Sequence, residues 1–584
     1  MLRCALPVVW AIGLCAQAWA GAPWKLTRNP HFYIYSQGSD ASARSALQWF
    51  EQLRGFFLQQ TGLTLDHLPA VRVIAFGSPS EYAPYRLRSA DAYYVGAEAQ
   101  DYIVMPGLGS SEFHTAAHEY AHLILHASGL RYPDWLKEGL AEFFSTVHVS
   151  ESGSELGGDL PARSQLLRRH AWMPLSDLLA LPEESVWPAD RERAGLFYAQ
   201  SWALTDMLFL SAEYGPHFPE LVAALSFGAP GPEALTKVYA KPLDQIMRDL
   251  HAWVDGRGSP PIHLPGVAAP SGVAEVSDVS EFASRSLLAE LLMATGELDR
   301  AEALYRELDR EAPGNADIAA ALGTIALRRG DDDGARREWK RAIRAGVTDA
   351  RLCYRYAVLA GVAGLSDDEV RPALERAVEL RPDFDDARYL LALLEKNASH
   401  YETAVTQLRA MRRIAPGRQY DYWSILSDAL NELQQHQEAK AAADQASRYA
   451  TSPTQRARAA QLAYMAQTDL AVQFVRDSSG RAQMVTTRVP HESDWNPFIE
   501  VGDDMRQVQG SVKEIDCGGD VTRFVVEAGG ARLRLSIEDP SRVRMRNAPP
   551  EFVCGPQEAN HVFVEYAISK NKGTDGLIRG VEFR

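Results

Sequence analysis

The stretch that decides the fold of the N-terminal half is His118-Glu119-Tyr120-Ala121-His122, which lies inside an apolar segment from Phe113 to Ser128. That segment lacks Pro and Gly and carries Leu, Ile and Ala at helical spacing, so it predicts a buried helix. Residues four apart on a helix lie about 6 Å apart along the axis and about 40° apart around it. The imidazoles of His118 and His122 can therefore converge on one metal ion, at about 2.0–2.1 Å from each nitrogen.

Two more histidines continue the same spacing, so the helix carries His114, His118, His122 and His126. Four rings cannot share one ion, because three steps of about 40° turn the last ring roughly 120° from the first. Only the central pair has a glutamate directly after its first member, and we predict that this pair binds the metal. Glu119 faces away from the ion but borders the same cavity, where it can accept a proton from a metal-bound water. The outer two histidines are expected to be structural or rim residues.

A second predicted helix, Leu136 to Val147, follows a turn at Pro133-Asp134-Trp135 and supplies two glutamates. A catalytic zinc site usually has three protein ligands and a water, so we predict Glu138 as the third ligand of Zn²⁺. Glu142 lies one turn further on the same face, where its carboxylate can accept the other ring proton of a ligand histidine. The alternative is an amphipathic helix pair with satisfied histidines and solvated acids.

Together, H-E-Y-A-H and the W-L-K-E-G-L-A-E segment that begins at Trp135 resemble the gluzincin metallopeptidases, specifically the peptidase-MA-like group often found ahead of tetratricopeptide repeats. The resemblance covers roughly residues 24–255. It implies a zincin-like α+β domain that hydrolyses peptide bonds with a zinc-activated water. In that family the motif histidines and the glutamate of the W-x-x-E-G segment bind zinc, and the motif glutamate is the general base. These roles map onto His118, His122, Glu138 and Glu119.

A later stretch, residues 197–204 (Phe-Tyr-Ala-Gln-Ser-Trp-Ala-Leu), is also similar to one seen in this group. The resemblance implies that the Tyr198 hydroxyl donates a hydrogen bond to the oxyanion. Tyr198 as a packing residue is the other interpretation, and the sequence favours neither. A zinc hydrolase that acts on another kind of bond also stays open, because only the resemblance points to peptides.

The first twenty residues have the features of a secretory signal peptide. Arg3 precedes a mostly apolar run, and Ala18-Trp19-Ala20 offers a small-x-small cleavage site before Gly21. We expect an exported protein, periplasmic or secreted, without a membrane span after removal of residues 1–20; a retained anchor is the alternative. Removal deletes one arginine and no acid, so the formal charge of −16 becomes −17. We expect no nucleic-acid partner for so acidic a chain.

At 584 residues the chain is too long for one core, and we predict a multidomain, mainly α protein with an α+β part. The metallopeptidase-like domain would span residues 21–255. Residues 256–275 are rich in Pro and Gly and predict a linker. Helical repeats would occupy residues 276–470, and a small β domain residues 485–584.

Residues 276–470 repeat with the period of tetratricopeptide repeats. Small residues at fixed positions let paired helices approach closely, and an aromatic residue fills the gap between neighbouring repeats. The solenoid either binds a protein partner or a peptide in its groove, or only supports the other domains. A non-catalytic scaffold with a vestigial or structural metal domain is therefore the alternative function. The clearest marker residues are Gly296, Ala301, Tyr305 and Pro313, and 34 residues later Gly330, Ala335 and Trp339.

The last hundred residues alternate in hydrophobicity, as at Leu533, Leu535 and Ile537, and predict a small antiparallel sheet or barrel. No catalytic constellation occurs there, so we expect a binding or packing module. Cys517 and Cys554 both lie in this region, and we predict a disulfide between them in an oxidising compartment. Two separate buried thiols are the alternative.

Overall fold

The computed structural model describes residues 22–65, 68–87, 90–97, 100–182, 191–256, 260–268, 274–476, 482–490, 496, 498–518, 521–549 and 553–584. The predicted signal peptide, residues 1–20, lies outside the described residues. The chain divides into two compact units, Met1–Asp331 and Asp332–Arg584. No helix in the described part of the chain is both long and apolar enough to cross a membrane.

Unit 1 is built around a six-stranded sheet with the spatial order β4-β5-β3-β2-β1-β8. β2, β3 and β5 run parallel, whereas β1, β4 and β8 each pair antiparallel with their neighbours. β4 is an edge strand of this sheet. The strands are β1 (Lys25–Arg28), β2 (Phe32–Ser36), β3 (Val71–Ala75), β4 (Tyr93–Gly96), β5 (Asp101–Met105) and β8 (Glu275–Asp278), while β6 (Ser154–Leu156) and β7 (Ile262–Leu264) form a separate pair.

The helices of unit 1 that carry the predicted site begin and end close to the predicted bounds. The helix predicted for 113–128 spans 113–127, and the one predicted for 136–147 spans 134–144. The helices are α1 (Asp40–Thr61), α2 (Pro79–Tyr82), α3 (Phe113–Ala127), α4 (Asp134–Phe144), α5 (Pro161–Arg169), α6 (Leu175–Ala180), α7 (Arg191–Leu210), α8 (Phe218–Ser226), α9 (Gly231–Tyr239), α10 (Leu243–Asp255), α11 (Glu281–Ala294), α12 (Leu298–Glu311) and α13 (Ala316–Arg328).

One face of the sheet is covered by α1 and α3, which share an aromatic core. Tyr120 of α3 contacts Phe32 of β2 and Phe57 of α1, with ring centroids 6.0 and 5.6 Å apart. Tyr120 follows Glu119 directly and is only 1% exposed. Aromatic burial of this size dominates local packing energy, so it fixes the rotation of α3 and thereby the direction of its histidines.

The other face of the sheet is covered by α11, the first helix of the repeat region. Leu287 and Leu291 of α11 are buried in one cluster with Ile74 and Val104 of the sheet. The strand β8 pairs with β1 and ends three residues before α11 begins. The repeat region therefore starts as a layer of unit 1.

The segment predicted as a linker, residues 256–275, has fixed contacts in its described part. It supplies β7, which pairs with β6, and the first residue of β8. The backbone N–H of Val267 donates to the carbonyl oxygen of Ser150 at 2.9 Å. Proline is compatible with edge strands because it lacks only a donor, so composition alone does not separate such strands from a linker.

Unit 2 begins with helices that pair as antiparallel hairpins and continues with β strands. The predicted repeat residues Ala335 and Trp339 are buried in its first helix. Cys353 is a buried free cysteine, as expected for a core residue of a repeat helix. The helices are α14 (Asp332–Arg344), α15 (Ala350–Val362), α16 (Asp367–Leu380), α17 (Asp385–Asn397), α18 (Tyr401–Arg409), α19 (Gln419–Glu432), α20 (His436–Tyr449) and α21 (Pro453–Met465).

The C-terminal strands close into a barrel with the order β13-β12-β11-β15-β16, and a parallel pair between β13 and β16 completes the ring. The long strand β11 pairs with both β12 and β15 and is bulged between Val512 and Glu514. This strand order is that of the OB fold, a five-stranded Greek-key barrel. The strands are β11 (Met505–Asp516), β12 (Thr522–Ala528), β13 (Ala531–Ile537), β14 (Arg544–Arg546), β15 (Gly555–Ile568) and β16 (Gly576–Phe583), preceded by the hairpin of β9 (Thr468–Arg476) and β10 (Ala482–Pro490).

A disulfide joins Cys517, just after β11, to Cys554, just before β15. The two residues are exposed, and their Cα atoms are 5.8 Å apart. β11 and β15 are neighbours in the barrel, so the bridge joins the ends of two strands that already pair.

The helices α4 and α7 cross at a point where only glycine fits. A Cβ atom on Gly139 would overlap Thr205 Oγ1 and come within 2.5 Å of the carbonyl oxygen of Ser201. The two helix backbones are thus in direct contact. Gly139 follows Glu138 in sequence, so this crossing fixes the turn of α4 that carries the predicted third ligand.

We expect Gly139→Ala to destabilise unit 1 by about 1–3 kcal/mol, because a methyl group has no space at this crossing. Gly361→Ala is the matched control, since Gly361 lies in α15 with no heavy atom near its would-be Cβ. Thermal unfolding of both variants tests this expectation. Equal unfolding temperatures for Gly139→Ala and the wild type would contradict it.

Asp206 of α7 is a buried acid that accepts a hydrogen bond from Trp253 Nε1 of α10 at 2.8 Å. It is 5% exposed, and burial raises its pKa to about 7. The folded state therefore holds a proton that the unfolded chain releases near pH 3.8. The contribution of Asp206 to stability is therefore present at low pH and is lost as the pH rises from about 4 through about 7.

We expect Asp206→Asn to remove part of this pH dependence, because an amide oxygen still accepts from Trp253 but carries no charge. Raising the pH from 5 to 8 should lower the unfolding temperature of the wild type more than that of the variant. The difference corresponds to on the order of a few kcal/mol. Asp255→Asn, at an exposed acid of α10, should follow the wild type. Parallel unfolding curves for all three proteins at both pH values would refute the assignment.

Candidate metal centre

Three predicted ligand atoms converge between α3 and α4. His118 Nε2 and His122 Nε2 are 3.1 Å apart, and Glu138 Oε2 lies 3.6 Å from the first and 3.4 Å from the second. Tetrahedral ligands at about 2.0–2.1 Å from one ion stand about 3.3–3.4 Å from each other. The three distances lie close to this value, so the donor set fits a zinc ion. Within the described residues, His118, His122 and Glu138 are a group of His, Cys, Asp or Glu side chains whose ligand atoms lie close enough together to bind one metal ion.

The charges of the three groups favour a cation between them. Burial lowers the pKa of His118, but the interaction with Glu138 and the charges of Glu119 and Glu142 outweigh it and raise this pKa to about 9. Burial would raise the pKa of Glu138, but the charges and hydrogen bonds of His122 and His118 hold it well below its ordinary value. Lys137 Nζ lies 3.4 Å from Glu138 Oε1, the other oxygen of the same carboxylate. Glu138 is therefore ionised, and together with Glu119 and Glu142 it stabilises positive charge at this place.

Glu119, the predicted base, lines the same cleft and is 7% exposed. Burial raises the pKa of its carboxyl group, while the charges of His118 and His122 act in the opposite direction. The backbone of Tyr94 on β4 also lowers this pKa. Tyr94 lines the same cleft, so the edge strand lies beside the predicted base.

Glu142 lies beside the site but makes a different contact from the one predicted. Its Oε1 is 3.8 Å from Nδ1 of His118, which is longer than a hydrogen bond. Both of its oxygens instead accept from Arg163 of α5, at 3.1 Å from Nε and 2.5 Å from the terminal nitrogen. A bidentate, charge-assisted pair is the stronger interaction, so Arg163 sets the position of this carboxylate.

Arg163 also contacts Tyr198, the residue that the resemblance assigns to the oxyanion. The guanidinium carbon lies 5.5 Å from the centre of the Tyr198 ring. Tyr198 is half-buried on α7 and lines the cleft, while its ring also packs against the core. Arg163 therefore connects α4, α5 and α7 around the site. Sequence reasoning missed it, because 21 residues separate Arg163 from Glu142 and no local spacing links them.

The site opens into a cleft of about 1330 Å³. Residues of β4 and the segment before it line the cleft together with residues of α3, α4, α5 and α7. His114 and His126, predicted as structural or rim residues, are exposed and line the same cleft. His126 Nδ1 lies 3.1 Å from the hydroxyl oxygen of Tyr94. Both outer histidines thus face the cleft without belonging to the convergent group.

Comparison with known proteins identifies the helical repeats. Residues 292–352 match the family model described as tetratricopeptide repeat. Among solved structures, YrrB, described as a TPR protein with an unusual peptide-binding site, is 21% identical, with a TM-score of 0.26 and coverage of 30% of this chain and 90% of that chain. MamA from Desulfovibrio magneticus RS-1 is 18% identical, with a TM-score of 0.21 and coverage of 25% and 90%.

The PilF protein of Pseudomonas aeruginosa is 17% identical, with a TM-score of 0.22 and coverage of 31% of this chain and 88% of that chain. The comparison with curated proteins gave no match. The family-model match confirms the predicted repeats. Tetratricopeptide repeats form extended surfaces for other proteins, so a protein-interaction role is indicated for this part of the chain.

Proposed function

We propose that this chain is an exported zinc-dependent peptidase whose repeats bind a protein partner or substrate. One observation carries the proposal: three donor atoms of His118, His122 and Glu138 converge, at 3.1–3.6 Å from each other, in a cleft that Glu119 also lines. Two imidazoles and a carboxylate are a zinc donor set that leaves one coordination position open.

The buried charges give independent support for a cation at this place. Three carboxylates, those of Glu119, Glu138 and Glu142, are each less than 10% exposed. Arg163 and Lys137 supply two fixed positive charges to them. Buried charges are costly unless they are compensated, and a divalent ion would supply positive charge in addition to that of Arg163 and Lys137. Zinc bound there would act as a Lewis acid towards a carbonyl oxygen and make a water acidic enough to attack near neutral pH.

The protein side chains have separate tasks in this proposal. Glu119 takes the proton released by the attacking water and later transfers it to the leaving amine, so it returns to its starting state. Tyr198 donates its hydroxyl proton in a hydrogen bond to the negative carbonyl oxygen. Arg163 holds Glu142 and contacts the Tyr198 ring, so it maintains the distance between the two sides of the cleft.

The cleft is suited to an extended peptide. β4 is an edge strand, and Tyr93 and Tyr94 of this strand line the cleft beside α3. A free strand edge offers backbone donors and acceptors to a peptide that lies along it. The cleft is open to solvent, and its volume is sufficient for several side chains.

A non-catalytic interaction protein is the second candidate function. The match of residues 292–352 to tetratricopeptide repeats favours it, because such repeats act by binding other proteins. The two candidates differ in metal content: a peptidase holds about one zinc ion per chain, whereas a scaffold needs none.

We expect Glu119→Gln to lower peptide hydrolysis by about 10²–10⁴-fold without loss of zinc, because it removes the proton acceptor and no ligand. His122→Ala should lose the zinc and the activity together. Glu112→Gln is the matched control, since Glu112 lies just before α3 and is not among the described residues that line the cleft. A screen of a quenched fluorescent peptide library and metal analysis measure both quantities. Full activity of Glu119→Gln would exclude this mechanism, and a wild-type protein without zinc would favour the scaffold.

We expect Arg163→Ala to weaken zinc binding by about 10- to 100-fold, because loss of the bidentate pair releases Glu142 next to His118. Arg163→Lys should restore part of the affinity, since it keeps the charge but not the fork geometry. Arg169→Ala, at the exposed end of α5, is the control. Zinc affinity is measured by competition with a chelator of known strength. An affinity of Arg163→Ala equal to that of the control would show that Arg163 does not support the site.

A further inference from the structure

One side of the cleft is formed by Arg86, Leu87 and Ala90–Tyr94, which we name the cleft wall. The wall lies between the metal helix α3 and the repeat hairpin α11–α12, and all of these elements belong to unit 1. Its front faces the predicted base, because Tyr94 and Glu119 line the same cleft. Its back contacts the repeats, and this second set of contacts has no role in the peptidase mechanism described above.

Tyr85, one residue before the wall, makes the central contact. Its ring stacks on Phe76 with centroids 5.2 Å apart, and the guanidinium carbon of Arg300 on α12 lies 5.6 Å from its centre. Tyr85 packs against two hydrophobic clusters, that of the sheet and that of α11–α13. One aromatic ring thus joins the sheet to the first repeat hairpin.

The position of Tyr85 is passed on to the wall by hydrogen bonds. The hydroxyl of Tyr93 donates to the carbonyl oxygen of Tyr85 at 2.7 Å, and Tyr93 is 4% exposed. The hydroxyl of Tyr82 donates to the carbonyl oxygen of Ala90 at 3.0 Å. Buried hydrogen bonds of this kind are costly to break, so the wall and Tyr85 move together. Tyr94, which follows Tyr93, lines the cleft together with Glu119.

The hairpin itself is fixed on the sheet. Leu291 of α11 is 1% exposed, and it packs in one cluster with Tyr93 and Tyr102. A terminal nitrogen of Arg72 donates to Glu290 of α11 at 2.5 Å and to the hydroxyl of Tyr102 at 3.3 Å. A shift of the hairpin would therefore move the wall or break these contacts.

We infer that the first repeat hairpin, α11–α12, is part of the peptidase site: through Tyr85 and Arg300 it positions the cleft wall relative to Glu119. The inference rests on the proposed function. Tyr85 and Arg300 are positioning residues, since neither is among the described residues that line the cleft. A protein bound to this hairpin would act on substrate affinity through the wall, which links the interaction module to the chemistry.

The test compares full-length Tyr85→Ala and Arg300→Ala with the wild type and with Arg310→Ala. Arg310 is an exposed arginine on the same helix, and it contacts the carbonyl oxygen of Arg306. Amide hydrogen exchange reports on the wall and β4, residues 90–96, and kinetics on a quenched fluorescent peptide pool report KM and kcat. We expect exchange and KM to rise about 3- to 10-fold in the two variants, with kcat and zinc content unchanged.

Wild-type exchange at residues 90–96 in both variants would overturn the inference. So would a uniform rise of exchange across unit 1 with parallel loss of zinc and kcat, because that pattern describes a hairpin that only stabilises the fold. Failure of the proposed function has a different signature: the wild type would lack zinc and hydrolyse no peptide in the pool. In that case the exchange data still decide whether the hairpin holds the wall.

Discussion

Three glutamate carboxylates are buried within a few turns of α3 and α4, and most of the surrounding architecture compensates their charge. Each would cost several kcal/mol if it were left without a positive partner. Glu142 pairs with Arg163, Glu138 lies beside the two imidazoles and Lys137, and the charges of the same imidazoles act on Glu119. The partners come from α3, α4 and α5, so these helices must stay at fixed distances. The need to compensate these buried carboxylates thus also creates a site of negative charge that suits a cation.

Close packing behind the site provides this rigidity. Tyr120 anchors α3 on the sheet, and Gly139 lets α4 contact the backbone of α7 directly. Both residues are neighbours in sequence of site residues, Glu119 and Glu138. Adjacent positions on a helix differ by about 100°, so packing at one position fixes the direction in which the next residue points. In both α3 and α4, a residue of the site is therefore followed directly by a residue that packs the helix.

The repeats and the sheet are less separate than their sequences suggest. Prolines and glycines after residue 255 indicate a boundary, but the described part of this segment pairs with strands of unit 1, and α11 covers one face of the sheet. A sheet with one uncovered apolar face would expose a large patch, so a helix must lie there. The first repeat satisfies this need. Because α11 completes the core beside the sheet, a change in its position would alter the packing of the strands that line the cleft.

Local sequence determined the features that depend on near neighbours. The four-residue spacing of His118 and His122 predicted their convergence, since helix geometry alone relates them, and the marker residues predicted the repeats that the family-model match confirms. The bounds of α3 and α4 followed from apolar periodicity to within a few residues. The alternation of the last hundred residues indicated strands but not their order, because strand pairing in a barrel is set by contacts distant in sequence.

Only the tertiary structure decided the rest. Arg163 binds the carboxylate of Glu142, 21 positions away in sequence. Tyr94 of β4 lines the same cleft as Glu119 of α3, and Tyr85 contacts Arg300 across more than two hundred positions. No local pattern records such pairs, because they depend on how whole elements pack. Sequence spacing therefore determined which side chains share one face of a helix. Packing of the helices on the sheet decided which of these faces contact each other.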